Sequence, residues 1–227
     1  MVKNIYSIGC IVIVTTAVNF MSYSAIAQDK FNINRKLAQL SQQAPQLNKK
    51  ILIIALTAYK KALANGAVKN PVLTIIDYSL PSRQPRMWIF NITKQVLLYN
   101  TYVAHGKNSG GDVAYHFSNK IASKETSLGT FVTGNTYFGA HGYSLNLRGL
   151  ERGFNDHAYE RRVVVHGAPY VEPAFIKKVG RAGRSWGCLS IATTLVRPII
   201  NFIKDGSIIF AYYPDRYYLS HSRFTTS

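Results

Sequence analysis

The sequence predicts a β-rich α+β fold, and two observations support this prediction. After Asn70-Pro71, short runs rich in β-branched and aromatic residues alternate with stretches rich in Gly, Ser and Asn, a pattern typical of short strands joined by surface loops. Before that boundary, apolar residues recur at helical spacing. We therefore expect a strand-rich domain preceded by an amphipathic helix.

The strand candidates are the segments richest in branched and aromatic side chains. They are residues 72–78, 87–90, 96–103, 129–133, 144–147, 162–165 and 207–213. Residues 91–95 predict a hairpin turn between two of these strands. Apolar residues between 193 and 204 again follow helical spacing, which predicts a second helix late in the domain.

The first 27 residues have the composition of a secretory signal peptide. Lys3 precedes an apolar run from Ile5 to Val18, and Ala25-Ile26-Ala27 offers small residues for cleavage. The run of about 14 residues is short for a membrane span. We therefore expect cleavage after Ala27, export to the periplasm or cell envelope, and no transmembrane span in the mature protein.

The remaining chain divides into four predicted segments. Residues 28–44 are polar and predict a tether, and residues 45–66 predict the amphipathic helix, which ends at Asn65-Gly66. Residues 67–216 contain all the strand candidates and form the expected main domain. Residues 217–227 are expected to be a C-terminal tail.

The chain is strongly basic, with 27 Lys and Arg against 10 Asp and Glu and a net charge of +17. Loss of the signal peptide, which carries Lys3 and no acid, lowers the charge by one to +16. In an exported protein this charge attracts anionic cell-envelope polymers, or it serves solubility alone. Nucleic acid is not an expected partner, because the basic residues are dispersed and form no recognisable binding module.

One cysteine remains after the predicted cleavage. Cys188 follows a Gly-rich loop and lies 22 positions after His166, which ends an apolar run. An exported thiol without a disulfide partner oxidises easily, so its retention indicates a chemical use. Cys188 is then the expected nucleophile and His166 its base, with loop amides available to a developing oxyanion. A buried structural cysteine and a core histidine are the alternative.

The motifs around these two residues resemble those of a known family. His166-Gly167 followed by Ser185-Trp186-Gly187-Cys188 resembles the signature of the YkuD-type L,D-transpeptidases, which remodel bacterial peptidoglycan. Further segments resemble the murein L,D-transpeptidase catalytic-domain branch of that group, namely residues 103–110, 117–119, 141–147, 149–151, 155–158 and 183–188. The resemblance implies that residues 67–216 are the catalytic domain, with a β-sandwich of mixed sheets and a few helices.

The resemblance also implies a ping-pong acyl transfer on peptidoglycan stem peptides. Cys188 would take the acyl group from a tetrapeptide stem and His166 would act as its base. Ser185 would support the loop or polarise the histidine, and backbone N–H groups near Gly187 would bind the oxyanion. The amine of a second stem as acceptor gives a 3→3 crosslink between meso-diaminopimelate residues.

Two other functions stay open at this stage. Water as acceptor gives an L,D-carboxypeptidase or endopeptidase that trims stems or releases wall-linked lipoprotein. A non-catalytic cell-wall binding protein is the second alternative. The family resemblance implies no metal or organic cofactor, and the sequence has no His, Cys, Asp or Glu set with the spacing of metal ligands.

The remaining candidates concern substrate binding. Arg184 is a candidate clamp for a stem-peptide carboxylate, with a solvated arginine as the alternative. Trp186 stands where the family more often has a second histidine, and Leu189 and Ser190 also depart from the family pattern, so we expect a different donor pocket. Five further residues are expected either to line the cleft or to have an ordinary loop role: His105, Asn108, Ser109, His141 and Tyr143.

Overall fold

The computed structural model describes residues 31–226 of the chain. The predicted signal peptide, residues 1–27, lies outside the described residues and stays a prediction. Within residues 31–226, none of the helices combines the length and the apolar character needed to cross a membrane.

Eight strands form one mixed sheet. In chain order they are β1 (Val72–Asp77), β2 (Met87–Asn91), β3 (Val96–Thr101), β4 (Gly129–Gly139), β5 (Gly142–Gly149), β6 (Val164–Gly167), β7 (Leu189–Ile191) and β8 (Ile208–Tyr212). Their spatial order is β3-β2-β1-β8-β4-β5-β6-β7, in which β1 and β8 are parallel, β6 and β7 are parallel, and the other pairs are antiparallel. The expected β-rich fold is therefore confirmed, with all strands joined in one hydrogen-bonded sheet.

Five helices and a 3₁₀ turn at Pro169–Val171 complete the described fold. The helices are α1 (Ile33–Gln43), α2 (Lys49–Ala64), α3 (Pro173–Val179), α4 (Thr193–Ile203) and α5 (Arg216–His221). Side chains alternate along a strand, so β1 contributes Leu73 and Ile75 to the core beside α2, and Val72 and Ile76 to the core beside α4. Both sheet faces are thus covered, which explains why β1 is apolar along most of its length.

The N-terminal segment differs from the expected tether. Residues 33–43 form α1, where the side chain of Asn32 caps the first turn and Leu40 is fully buried. Lys36 Nζ donates a hydrogen bond to the carbonyl of Ile92, 3.0 Å away, which ties α1 to the turn after β2. The contact face contains few large apolar residues, so the sequence pattern resembles that of an unpacked segment.

The C-terminal segment is also packed rather than a free tail. It forms α5, and the Tyr218 side chain is buried against the domain. The hydroxyl groups of Tyr218 and Ser222 donate to the buried carboxylate of Glu151, with the Tyr218 bond measuring 3.2 Å. Glu151 thereby attaches the end of the chain to the loop after β5.

Candidate active site

Cys188 and His166 line the same cleft, a cavity of about 1030 Å³. His166 lies in β6 and Cys188 directly precedes β7, and these strands are parallel neighbours in which Val165 pairs with Leu189. This register brings Cys188, the predicted nucleophile directly before β7, next to the strand that carries His166, the predicted base. Both residues line the cleft. A sequence separation of 22 residues is thus closed by one strand pair.

His166 is held in one tautomer by its hydrogen bonds. Its Nδ1 lies 2.9 Å from the carbonyl oxygen of Gly167, which can only accept, so Nδ1 carries the proton. In the neutral ring Nε2 then accepts from the hydroxyl of Ser190 at 2.9 Å, and in that arrangement Ser190 accepts from the hydroxyl of Tyr170 at 3.0 Å. Burial lowers the pKa of His166, as does the neighbouring His141, whose ring stacks at 4.3 Å. The imidazole is consequently neutral, with its lone pair on Nε2.

The thiol of Cys188 faces a backbone carbonyl. Its Sγ donates to the carbonyl of Arg162 at 3.6 Å, and no hydrogen bond joins it to His166 in the part of the chain that the structure describes. Burial raises the pKa of the Cys188 thiol, while a hydrogen bond from the Val164 backbone and the charge of Arg161 act in the opposite direction. The structure therefore describes a protonated thiol beside a neutral imidazole.

Ser185 holds the loop before Cys188. Its hydroxyl donates to the carbonyl of Cys188 at 2.7 Å and accepts from the N–H of Gly187 at 3.1 Å. Its backbone N–H donates to the carbonyl of His105 at 3.0 Å, and its own carbonyl accepts from Lys107 at 2.7 Å. None of these bonds reaches His166. The N–H of Gly187, expected near the oxyanion, is already engaged by Ser185.

Arg161 is a functional candidate that the sequence analysis missed. Its Nη1 donates to the carbonyl of Ser118 at 2.7 Å and to the hydroxyl of Ser127. Its Nη2 donates to the hydroxyl of Ser123 at 3.2 Å and to the backbone carbonyl of Glu125 at 2.5 Å. All four acceptors are neutral, and within residues 31–226 no carboxylate lies at ion-pair distance from Arg161. Arg161 lines the cleft together with Cys188. The site thus contains an immobilised positive charge close to the thiol.

Gly187 explains how the loop approaches this charge. Its φ is +113°, and a Cβ atom there would lie 2.8 Å from the carbonyl oxygen of Glu125 and 3.2 Å from Nη2 of Arg161. A side chain at this position would collide with the backbone and strain the turn. The glycine in Ser-x-Gly-Cys therefore lets the loop lie directly against the guanidinium.

Comparison with known proteins identifies the family. The family model of the L,D-transpeptidase catalytic domain matches residues 43–212. The chain belongs to this family. The resemblance noted in the sequence is thereby confirmed, and a search of curated proteins found no match.

Several solved structures are similar to the chain at low sequence identity. They include an L,D-transpeptidase from Mycobacterium smegmatis, with 16% identity, a TM-score of 0.38, and coverage of 63% of this chain and 59% of that one. L,D-transpeptidase 3 from Mycobacterium tuberculosis, in complex with a faropenem-derived adduct, has 15% identity, a TM-score of 0.39, and coverage of 63% and 60%. The helical cell shape determining protein Pgp2 from Campylobacter jejuni has 9% identity and a TM-score of 0.43, and the match covers 67% of this chain and 54% of that one. The chain spans less than two thirds of the length of each.

Three of the expected substrate-binding residues of this L,D-transpeptidase family member line the cleft. Arg184 is exposed there, and its Nη1 donates to the carbonyl of Gly110 at 3.2 Å. Trp186 is 73% exposed, with Nζ of Lys124 4.8 Å from its ring centroid. His141, in the turn between β4 and β5, stacks on His166. These side chains are available to a bound peptide.

His105 contacts the loop before Cys188 and does not line the cleft. It is fully buried, and its Nδ1 lies 2.8 Å from Nη2 of the buried Arg86. Burial and the charge of Arg86 lower the pKa of His105 to about 4. Because Ser185 bonds to the backbone of His105, this histidine supports the loop from below.

The other expected residues are not among those that line the cleft. The side chain of Asn108 donates to the carbonyl of Ser123 at 2.8 Å, and Oγ of buried Ser109 accepts from the N–H of Thr126 at 2.9 Å. The hydroxyl of Tyr143 donates to Asn201 on α4 at 2.9 Å. Asn108 and Ser109 order the loop that also holds Arg161, whereas Tyr143 packs against α4.

Proposed function

We propose that this chain is a cysteine acyltransferase that remodels peptidoglycan, with Cys188 as nucleophile and His166 as base. The observation that carries the proposal is that both side chains line one cleft of about 1030 Å³. His166 lies on β6, and Cys188 directly precedes the neighbouring strand β7. Membership of the L,D-transpeptidase catalytic domain family supports the reaction class. The cleft is large enough for a peptide segment rather than a single small group.

In the first half-reaction, the thiol proton of Cys188 passes to Nε2 of His166 when Sγ turns away from the Arg162 carbonyl. The thiolate attacks the carbonyl at the L-centre of meso-diaminopimelate in a tetrapeptide stem. The tetrahedral intermediate collapses, the bond to D-Ala breaks, and His166 returns the proton to the departing amine. A thioester on Cys188 remains.

Ser190 suits both protonation states of the base. Its hydroxyl donates to Nε2 of neutral His166 at 2.9 Å, and the same oxygen can accept from Nε2–H of the imidazolium. Tyr170 orients that hydroxyl from the other side at 3.0 Å. The pair thus keeps the ring in one orientation while its proton comes and goes.

In the second half-reaction, the side-chain amine of a second stem attacks the thioester. The amine loses a proton to His166, the new amide forms, the C–S bond breaks, and His166 returns that proton to the Cys188 thiolate. The product is a 3→3 crosslink. Water in place of the amine yields a tripeptide stem, which is the carboxypeptidase outcome, and the same chemistry on a crosslink or a wall-linked lipoprotein is the endopeptidase outcome.

The test is incubation of purified sacculi with wild-type protein and with Cys188→Ala, followed by digestion and mass spectrometry. We expect 3→3 dimers with wild type only. Tripeptides without dimers would replace transfer by hydrolysis. Identical products from both proteins would instead favour a non-catalytic wall-binding protein.

We also propose export to the periplasm or cell envelope, which the charge and hydropathy pattern of residues 1–27 supports. Protein recovered from an envelope fraction is expected to begin at Gln28. Recovery of the chain in the cytoplasm with Met1 retained would contradict export.

The net charge of +17 supports anionic cell-envelope polymers as partners. Binding of the Cys188→Ala protein to sacculi should weaken as salt is raised, because screening shortens the range of exposed charges. Binding that does not respond to salt would show that charge is not what holds the protein to the wall.

A further inference from the structure

A second cavity lies beside the proposed active site. It has a volume of about 470 Å³, and its lining includes the segment that follows α2, the middle of β4 and the second half of β5. Asn146 and Tyr159 line both this cavity and the catalytic cleft, so the two spaces adjoin. We call this cavity the side pocket, and the residues used below are Lys69, Asn135, Asn146, Arg148 and Tyr159.

The side pocket occurs where β4 departs from regular pairing. The register between β4 and β5 shifts between Thr133 and Thr136, so Gly134 and Asn135 lie outside the regular ladder. A bulge of this kind redirects side chains out of the sheet. Here the side-chain amide of Asn146 donates to Oδ1 of Asn135 at 3.2 Å, across the floor of the pocket.

The lining of the side pocket is positively charged. Lys69 and Arg148 are both exposed, and within residues 31–226 neither forms an ion pair. Asp205 also lines the pocket, but its carboxylate lies 3.9 Å from Lys204. An arginine fork, a lysine and two amide side chains suit a peptide that carries carboxylates.

The distance from the thiol fits a short peptide. Asn146 pairs with Val164 on β6, and β6 in turn pairs with β7, which Cys188 precedes. Two strand spacings of about 4.8 Å separate the level of Asn146 from that of Cys188 by about 10 Å. An extended peptide covers that length with about three residues. A stem peptide whose amine is at the thioester therefore reaches the side pocket with its carboxylates.

We propose that the side pocket binds the carboxylates of the acyl acceptor, a second stem peptide, while its amine attacks the thioester on Cys188. The inference rests on the proposed function and adds the site that favours the amine over water. An acceptor held at both ends places its amine at the thioester and occupies the space through which water would reach it. The side pocket thus determines the ratio of crosslinking to hydrolysis.

The first test changes the two pocket charges together, as Lys69→Gln with Arg148→Gln. Glutamine keeps the Cβ and Cγ atoms of residue 69, which lie near Gly206. The matched control is Lys177→Gln with Lys178→Gln on α3, which removes the same charge from an exposed surface outside both cavities. The substrate is a soluble disaccharide tetrapeptide, which serves as both donor and acceptor.

Three products are counted by mass spectrometry, namely released D-Ala, 3→3 dimers and tripeptides. We expect first-turnover release of D-Ala, which reports thioester formation alone, to stay within about twofold, because the donor reaction does not use the side pocket. The ratio of dimers to tripeptides should fall about tenfold, as loss of charge-assisted contacts predicts. An unchanged ratio, a parallel fall of D-Ala release and dimers, or the same fall in the Lys177 and Lys178 control would overturn the inference.

A second test measures binding without catalysis. The ligand is the soluble tripeptide stem that ends at meso-diaminopimelate, which lacks D-Ala and so acts only as an acceptor. By calorimetry, the Cys188→Ala protein should bind this ligand about tenfold more weakly after Lys69→Gln and Arg148→Gln are added. Unchanged affinity, or displacement by inorganic phosphate at equal concentration, would overturn the inference. If this binding depends on the pocket but wild type releases no D-Ala, the proposed function fails and the peptide site stands.

Discussion

The charge of Arg161 should determine how much of Cys188 is thiolate at neutral pH. Nη2 of Arg161 lies 3.2 Å from the place a Cβ of Gly187 would occupy, and one further residue spans about 3.8 Å along the chain, so we take a separation of about 7 Å between this charge and Cys188. Two unit charges about 7 Å apart attract by about 2.4 kcal/mol at an effective dielectric constant of about 20. Solvent in the cleft weakens this to about 1.4 kcal/mol, which is a factor of ten in thiolate fraction.

Arg161→Met removes the charge and keeps an extended side chain. Because the cation favours the thiolate, its loss should raise the pKa of Cys188 further, and alkylation by iodoacetamide at pH 7 should be about tenfold slower than in wild type. As the pH rises past the Cys188 pKa of wild type, the ratio of the two rates should shrink, since wild type is then mostly thiolate while the variant still gains thiolate. The measurement is the alkylation rate from pH 6 to about 10.5, with the protein's fold checked by circular dichroism.

Two further variants separate charge from loop order. Arg152→Met removes an exposed arginine from the same loop and should leave the pH profile unchanged. Arg161→Lys keeps the charge but cannot donate all four hydrogen bonds, so most of the pH profile should be retained. The reasoning is refuted if Arg161→Met has the wild-type profile, or if Arg161→Lys is as slow as Arg161→Met.

Three other predictions follow from contacts in the site and in the N-terminal segment. Ser190→Ala removes the hydrogen-bond partner of His166 Nε2 and should slow Cys188 alkylation at pH 7 about fivefold, which is the effect of losing one hydrogen bond. Ser190→Thr keeps the hydroxyl and should restore the rate. A wild-type rate in Ser190→Ala would contradict this. Gly187→Ala should slow alkylation of Cys188 at least tenfold. Gly153→Ala is the control, because Gly153 also has a positive φ but faces open space, and it should not slow alkylation. Equal rates in the two variants would show that the contact between Gly187 and Arg161 is unimportant. Leu40→Ala should lower the free energy of unfolding in urea by about 2–3 kcal/mol, because α1 buries this side chain. Gln42→Ala, on the exposed face of α1, is the control. An unchanged free energy of unfolding in Leu40→Ala would show that α1 is not packed on the domain and that the segment is a tether.

The strands could be predicted because they are rich in β-branched and aromatic side chains, which in β1, β2 and β8 are almost all buried. Each of the seven segments expected as a strand overlaps a strand of the sheet, and the late helix is α4. β7 was not predicted, since its three residues, Leu189–Ile191, are too few for a periodic pattern. Its place in the sheet depends on pairing with β6, a contact with a partner more than 20 residues earlier in the chain.

The pair Cys188 and His166 could be found from the sequence because short motifs mark both residues. Arg161 could not be singled out in the same way. It is one of 27 basic residues in the chain, and its role comes from four acceptors that lie 34 to 43 positions earlier. For His105 the sequence left two roles open, because a histidine between loop residues gives no sign that it will be buried against Arg86.

The two departures from the family pattern at positions 186 and 190 have different consequences in the structure. Trp186 extends from the loop, is 73% exposed and contacts Lys124, so the change at this position alters the rim of the cleft. Ser190 is fully buried and bonds directly to the nitrogen of His166 that accepts the thiol proton in the proposed reaction. A change at the rim affects which peptides bind, whereas a change at Nε2 affects every turnover. We therefore expect substitution of Trp186 to act mainly on KM, and substitution of Ser190 to act mainly on the rate of thioester formation.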